Sequence, residues 1–335
     1  MKKNLLYMIS AVVAMMTTGC IEESPADGVG IDPTLVNVDA DVTFDLAWKE
    51  SSEPVECTRA AAEGYEPRFV VEAYRQGEST PVLREVLLPG GDYADGTFTL
   101  PVSLKLHALR YTFAVWADYV KTDAEGADLY YDTSNFAGIS CTDPYTGSTD
   151  MRAAYYGTAA VDLTQYRDDW NVHDTLHLAM QRPQARFRVI ATDVKQFKVK
   201  READSRAAES VAGENYRACF SYNYFVPTSF SVLTGKPVDS GTGIGFTSDV
   251  ALPTGGEAEM LLGSDYIFVN GTETSVVLNV EIKDGDGRTV SRTKDIRIPC
   301  RRGYVTTVRG DFFTATSQSG ITVDTEFEGD IDIWI

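Results

Sequence analysis

The 335-residue chain carries few groups suited to covalent chemistry: three histidines (His107, His173, His177) and five cysteines, set among 49 carboxylates. His173 and His177 stand four apart, a spacing that on a helix would turn both imidazoles to one face and suit zinc. The alternation of Leu176 and Leu178 beside them reads instead as a strand edge. Lys283-Asp284-Gly285-Asp286-Gly287-Arg288 supplies oxygen donors like the start of a calcium loop. No bidentate acid follows at the required spacing, however, and Asp-Gly is the ordinary hairpin turn. Gly-x-Ser-x-Gly, a phosphate-cradling glycine loop and Cys-x-x-Cys are all missing. Acid pairs for glycoside cleavage cannot be singled out of 49 candidates. Tyr130-Tyr131, Tyr155-Tyr156 and Trp170 could stack on sugar rings, but Tyr155 and Tyr156 read more simply as strand neighbours, one in the core and one on the surface. The expectation is a protein that is not an enzyme and needs neither cofactor nor metal.

Charge narrows the partners. Thirty Lys and Arg against 49 Asp and Glu give a net charge of −19, a field that repels phosphate backbones and so excludes nucleic acid. Hydrophobic residues at 43% and charged residues at 24% exclude a wholly disordered chain or a multi-span membrane protein.

The elements that must position any site are strands. Val36, Val38, Ala40, Val42, Phe44, Leu46 and Trp48 recur every second residue with polar residues between them, one face apolar and the other wet. The same period runs through Phe98 to Leu106, Tyr111 to Tyr119, Phe187 and Val189, and Val276 to Ile282. Pro89-Gly90-Gly91-Asp92, Thr234-Gly235-Lys236-Pro237 and Asp284-Gly285-Asp286-Gly287 supply turns. No segment of similar length has a 3.6-residue stripe. Many short strands punctuated in this way predict an all-β chain of antiparallel β-sandwiches. Gln181-Arg182-Pro183-Gln184 separates two apolar strands and places the domain boundary there, giving domains 34–181 and 182–335. Residues 201–214 are polar and small, a loop or a short helix.

The N-terminus has its own chemistry. Lys2 and Lys3 precede an apolar run from Leu5 to Met16, too short to span roughly 30 Å of hydrocarbon. The run ends at Thr17-Thr18-Gly19-Cys20, which resembles the lipobox of bacterial lipoproteins, with Thr17 where leucine is commonest. The resemblance implies that residues 1–19 are a cleaved signal peptide and that Cys20 is acylated and held in the outer membrane. Acidic residues at once behind it, Ile21-Glu22-Glu23-Ser24-Pro25-Ala26-Asp27-Gly28, resemble a surface-export signal of Bacteroidales-type bacteria; a plain tether with retention on the inner leaflet is the alternative. Residues 20–33 form an acidic tether. The other cysteines, Cys57, Cys141, Cys219 and Cys300, fall two to each domain. Pairs Cys57 with Cys141 and Cys219 with Cys300 would close loops of about 80 residues, each contributing around 4 to 5 kcal/mol; four buried free thiols are the alternative.

Together the lipobox, the two β-domains, the strand Tyr111-Thr112-Phe113-Ala114-Val115-Trp116-Ala117-Asp118-Tyr119, the entry Arg182-Pro183-Gln184-Ala185-Arg186-Phe187 and the segment Tyr222-Asn223-Tyr224-Phe225-Val226-Pro227-Thr228 resemble the fimbrillin-like surface lipoproteins of Bacteroidales, builders of type V pili. The resemblance implies two transthyretin-like sandwiches and a role as pilus subunit, anchor or tip adhesin. Its partners would be other fimbrillin subunits and a host protein or glycan. A surface glycan-binding lipoprotein of a polysaccharide-uptake system is the alternative. It also implies assembly by strand exchange: a protease cuts after an arginine behind the first strand, for which Arg59 matches, and a neighbour's strand fills the groove. The C-terminal segment with Ile331, Ile333 and Ile335 alternates apolar and acidic residues and is the candidate donor; that both ends are ordinary strands of one closed monomer is the alternative.

Overall fold

The computed structural model describes residues 21–22, 35–44, 63–89, 97–169, 172–204, 214–315, 318–321 and 332–334. In chain order the strands are β1 (Ile21–Glu22), β2 (Leu35–Phe44), β3 (Tyr65–Arg75), β4 (Leu83–Leu87), β5 (Thr97–His107), β6 (Arg110–Lys121), β7 (Tyr131–Asp132), β8 (Ile139–Cys141), β9 (Tyr155–Asp162), β10 (His173–Met180) and β11 (Gln184–Ala191). Helix α1 (Val194–Asp204) follows, then β12 (Asn215–Tyr222), β13 (Val226–Ser231), β14 (Lys236–Gly241), β15 (Gly245–Ala251), β16 (Met260–Phe268), β17 (Glu273–Lys283), β18 (Thr289–Arg301), β19 (Val305–Gly310), β20 (Gln318–Ile321) and β21 (Asp332–Trp334). The chain is mostly strand, as the alternating pattern predicts.

Two compact units result: Met1–Asp45 with Glu66–Ala117 and Tyr156–Gln181, and Leu46–Tyr65 with Asp118–Tyr155 and Arg182–Ile335. The first holds two four-stranded sheets, β1-β5-β2-β10 and β4-β3-β6-β9. Val36, Val38, Leu104 and Leu106 are fully buried on one; Val71, Phe113, Val115 and Trp116 are fully buried on the other. β6 is buried on both faces, so its period marks a covered strand rather than a half-wet one. Ile21 and Glu22, inside the segment 20–33 expected as a tether, add as β1 to the outer edge of β5.

In the second unit β16-β11-β19-β21 and β15-β12-β17-β18-β20 share one core. Phe187 and Val189 from the first sheet meet Phe220, Leu278, Val280 and Ile298 from the second. A third sheet, β14-β13-β8-β7, packs on the far side of β16, where Phe230 stacks on Phe268 with ring centroids 5.4 Å apart. Residues 118–155, which a boundary at 181 puts in the first domain, therefore belong to the second unit: β8 pairs with β13 through Ile139 and Phe230.

Pairing is antiparallel in most places, but β2 runs parallel to β10 and β11 parallel to β19. In each unit a parallel pair thus joins strands far apart in the chain, a direction that side-chain alternation does not encode. Of the expected turns, Gly90 to Asp92 lie outside the described residues, while Thr234 and Gly235 lie in the turn between β13 and β14 and the segment 284–287 turns between β17 and β18. Gly287, at φ +80°, closes a turn in which the Asp284 carboxylate accepts the backbone N–H groups of Asp286 (3.0 Å) and Arg288 (2.8 Å). Residues 201–214 begin as the end of α1. It buries only Val194 and Phe197, too little to leave a stripe in the sequence.

Candidate functional site

The sites expected at the chain ends fall differently. Cys20, Cys57, Arg59, Trp170, Ile331 and Ile335 lie outside the described residues. Strand β2 is described, and it is an interior strand. On one side it pairs antiparallel with β5, from Leu35 with His107 to Thr43 with Thr97. On the other it pairs parallel with β10, from Asn37 with His173 to Phe44 with Met180. The Asn37 side-chain amide also donates to the Val172 carbonyl at 3.3 Å. Apolar alternation made this segment a strand; burial of Val36 and Val38 at 0% exposure fixes which face points inward, since a one-residue slip would expose both. At the other end β21 lies parallel to β19, Ile333 opposite Val308.

The cysteines make no pair among the described residues: Cys141, Cys219 and Cys300 are free thiols. Cys219 sits between the inward-facing Ala218 and Phe220 and so points to the outer face of β12, whereas Cys300 is in the core. The Cys219–Cys300 link that loop length allows is not formed, because the two thiols lie on opposite faces of one sheet. Burial pushes the Cys300 thiol up to about 12 and raises those of Cys141 and Cys219.

A buried polar cluster in the second unit carries no local signature in the sequence. Arg152 and Asp265, 2% and 0% exposed, form an ion pair. Asp265 further accepts the hydroxyls of Tyr145 (2.8 Å) and Tyr222 (2.6 Å) and the backbone N–H of Tyr266 (2.8 Å). The Arg152 guanidinium lies 4.2 Å from the centre of the Tyr145 ring and donates to the Cys141 sulfur at 3.4 Å. Its carbonyl takes the Tyr131 hydroxyl at 2.6 Å, and Gln184 donates to that hydroxyl in turn. Burial raises the Asp265 carboxyl above the usual range, opposed by Arg152 and the hydrogen bonds of Tyr222 and Tyr145. Every strong donor around the carboxylate is thus used within the fold. The arrangement pins residues 141–154 along β16, where Ser148 also donates to the Ser264 carbonyl at 2.8 Å.

The remaining candidates resolve simply. His173 and His177 lie exposed on strand β10, and among the described residues no group of three or more His, Cys, Asp or Glu could hold a metal ion. Tyr155 and Tyr156 are both buried, at 8% and 4%. Neither is a surface residue, because Arg182 covers Tyr155 at 4.4 Å while Tyr156 bridges to Gln181. Tyr131 is fully buried. Among the described residues the aromatics most open to water are Tyr224 and Phe225, 65% and 71% exposed, within the tyrosine-rich segment 222–228.

The model of a family of unknown function, DUF6562, matches residues 33–335. No curated protein matches the sequence. Among solved structures the chain is similar to a protein of Bacteroides eggerthii assigned to cell adhesion, with 11% identity, TM-score 0.43, and 92% of this chain and 100% of that one covered. It is similar also to the fimbrial anchor protein Mfa2 of Porphyromonas gingivalis, with 11% identity, TM-score 0.39, and 77% and 82% covered. A fimbrial assembly protein of Parabacteroides distasonis gives 10% identity, TM-score 0.35, and 82% and 90% covered. At such values these neighbours carry no functional statement for the chain, whose role has to be read from its own residues.

Proposed function

The chain belongs to the family of unknown function DUF6562, a description without an activity, and we propose from its own residues that it is a lipid-anchored surface protein of fimbrillin type. It acts as a pilus subunit, anchor or tip adhesin, held in the outer membrane through acylated Cys20. The observation that carries the reading is the place of β2. It is the first long described strand, it follows the lipobox and tether, and it fills a slot between β5 and β10. Removing it would leave two rows of unpaired N–H and C=O groups and uncover the buried faces of Leu104, Leu106, Leu176 and Leu178. A donated strand of alternating pattern, such as residues 331–335 of a neighbour, would fill that slot head to tail. Arg59 lies between β2 and β3, where a cut would separate β2 from the rest of the unit.

Two experiments test the reading. Cys20→Ala should abolish acylation and release the protein from outer membranes; an acylated variant, or a wild type whose leader stays uncut, would overturn the anchor. Limited trypsin treatment of purified protein, with Arg59→Gln as the control, should free β2 and give oligomers on gel filtration. If the cut protein keeps β2 and stays monomeric, and deletion of residues 331–335 alters neither assembly nor display, strand exchange is wrong for this chain.

A further inference from the structure

We propose that a concave surface of the second unit, beside the β12–β13 turn, binds a neutral glycan. The cavity there has a volume of about 570 Å³, within the range of roughly 300 to 1,000 Å³ usual for small-ligand sites. Its lining combines the apolar Phe225 and Val238 with the polar Asp239, Ser240, Asn270 and Ser275. Phe225 and Val238 are 71% and 53% exposed, two large apolar side chains left in water along the lining of one hollow.

A pyranose ring has the matching form. One face presents C–H groups that lie on an aromatic plane, and its rim carries hydroxyls that both donate and accept. The polar part of the lining consists of short hydroxyls, an amide and one carboxylate, the groups that bond hydroxyls at close range. One oxygen of Asp239 accepts the Ser240 backbone N–H at 2.7 Å; among the described residues the other is left for a ligand hydroxyl. No lysine or arginine lines the cavity, so a sulfated, phosphorylated or uronic sugar would meet only the charge of Asp239, and a neutral sugar is favoured.

An added peptide strand is the competing occupant, since β14 ends its sheet. Pro237 interrupts the donors of that edge and Asp239 charges it, two features that discourage strand addition. The proposal does not rest on pilus assembly and stands or falls apart from it.

The test applies the full chain, in detergent, to an array of neutral, sialylated and uronic oligosaccharides. The best neutral ligand is then titrated calorimetrically against wild type, Phe225→Ala and Asp239→Ala. Saturable binding to neutral glycans is expected, with each substitution weakening it at least about tenfold while the unfolding midpoint stays that of wild type. The proposal is overturned if no neutral glycan binds, if only acidic glycans bind, or if both variants bind like wild type. Loss of self-association in Phe225→Ala without any glycan binding would make the surface a protein contact instead.

Discussion

Replacing Arg152 by Met tests the buried cluster most sharply. The substitution keeps an unbranched chain in the same space but leaves the Asp265 carboxylate, 0% exposed, with three neutral donors and no cation. Breaking one partner from a buried pair costs about 3 to 5 kcal/mol, a large part of the 5 to 15 kcal/mol that holds a typical domain. Asp265→Leu alone should cost a similar amount, because it strands the guanidinium and leaves the hydroxyls of Tyr145 and Tyr222 without their acceptor. The double variant buries no charge and loses only the tyrosine bonds, about 1 to 3 kcal/mol for each group left unsatisfied. Its cost should therefore fall several kcal/mol short of the sum of the singles. Denaturant titrations are read by labelling of Cys300, which sits in the core of the second unit and so reports on that unit.

The pH dependence of Arg152→Met follows with a definite sign. Burial already raises the Asp265 carboxyl, and Arg152 opposes the rise; without Arg152 it climbs further. A carboxyl whose folded pKa exceeds its unfolded value contributes most below the unfolded value, and that stability is lost as pH rises through the folded one. The deficit of Arg152→Met against wild type should thus shrink as pH is lowered from 7 toward 5. Additive single costs, or a deficit that grows on acidification, would refute the view that the two side chains act as an ion pair.

Other consequences are more quickly checked. With its thiol pushed up to about 12, Cys300 should resist thiol reagents at pH 8 in native protein and label at once in denaturant without prior reduction; a sulfur found in a Cys219–Cys300 link by mass analysis would contradict the structure. Gly147→Ala would drive a methyl to 2.5 Å from the Phe246 ring and should cost about 1 to 3 kcal/mol, seen as a lower denaturant midpoint for the second unit. Asp162, held by Thr164 and Arg110, should titrate at about 2. It should rise toward the usual range in Thr164→Ala, as followed by carboxyl NMR.

What the sequence revealed and what it hid separate along physical lines. Period-two alternation survives wherever a strand buries one face, so Val276, Leu278, Val280 and Ile282 are legible and all buried at 2% or less. Pairing direction and partner are not, because β2 would show the same alternation against any neighbour. Arg152 follows Thr149-Asp150-Met151 in what reads as a polar loop, and Asp265 stands in a strand where an acid suggests the wet face. Their link spans 113 positions, and nothing local announces it. Yet that link sets what the second unit can offer a partner. β16 ends its sheet and would be open to an added strand, but Tyr145, Ser148 and Arg152 bind along it. That edge is closed by a charge pair too costly to separate. In the first unit β2 is no edge at all: it lies inside its sheet, paired with β5 on one side and β10 on the other. Under the proposed reading a cut at Arg59 would release that interior strand, so a neighbour's strand would enter the first unit through an emptied slot, whereas at β16 of the second unit the ion pair would have to be broken first.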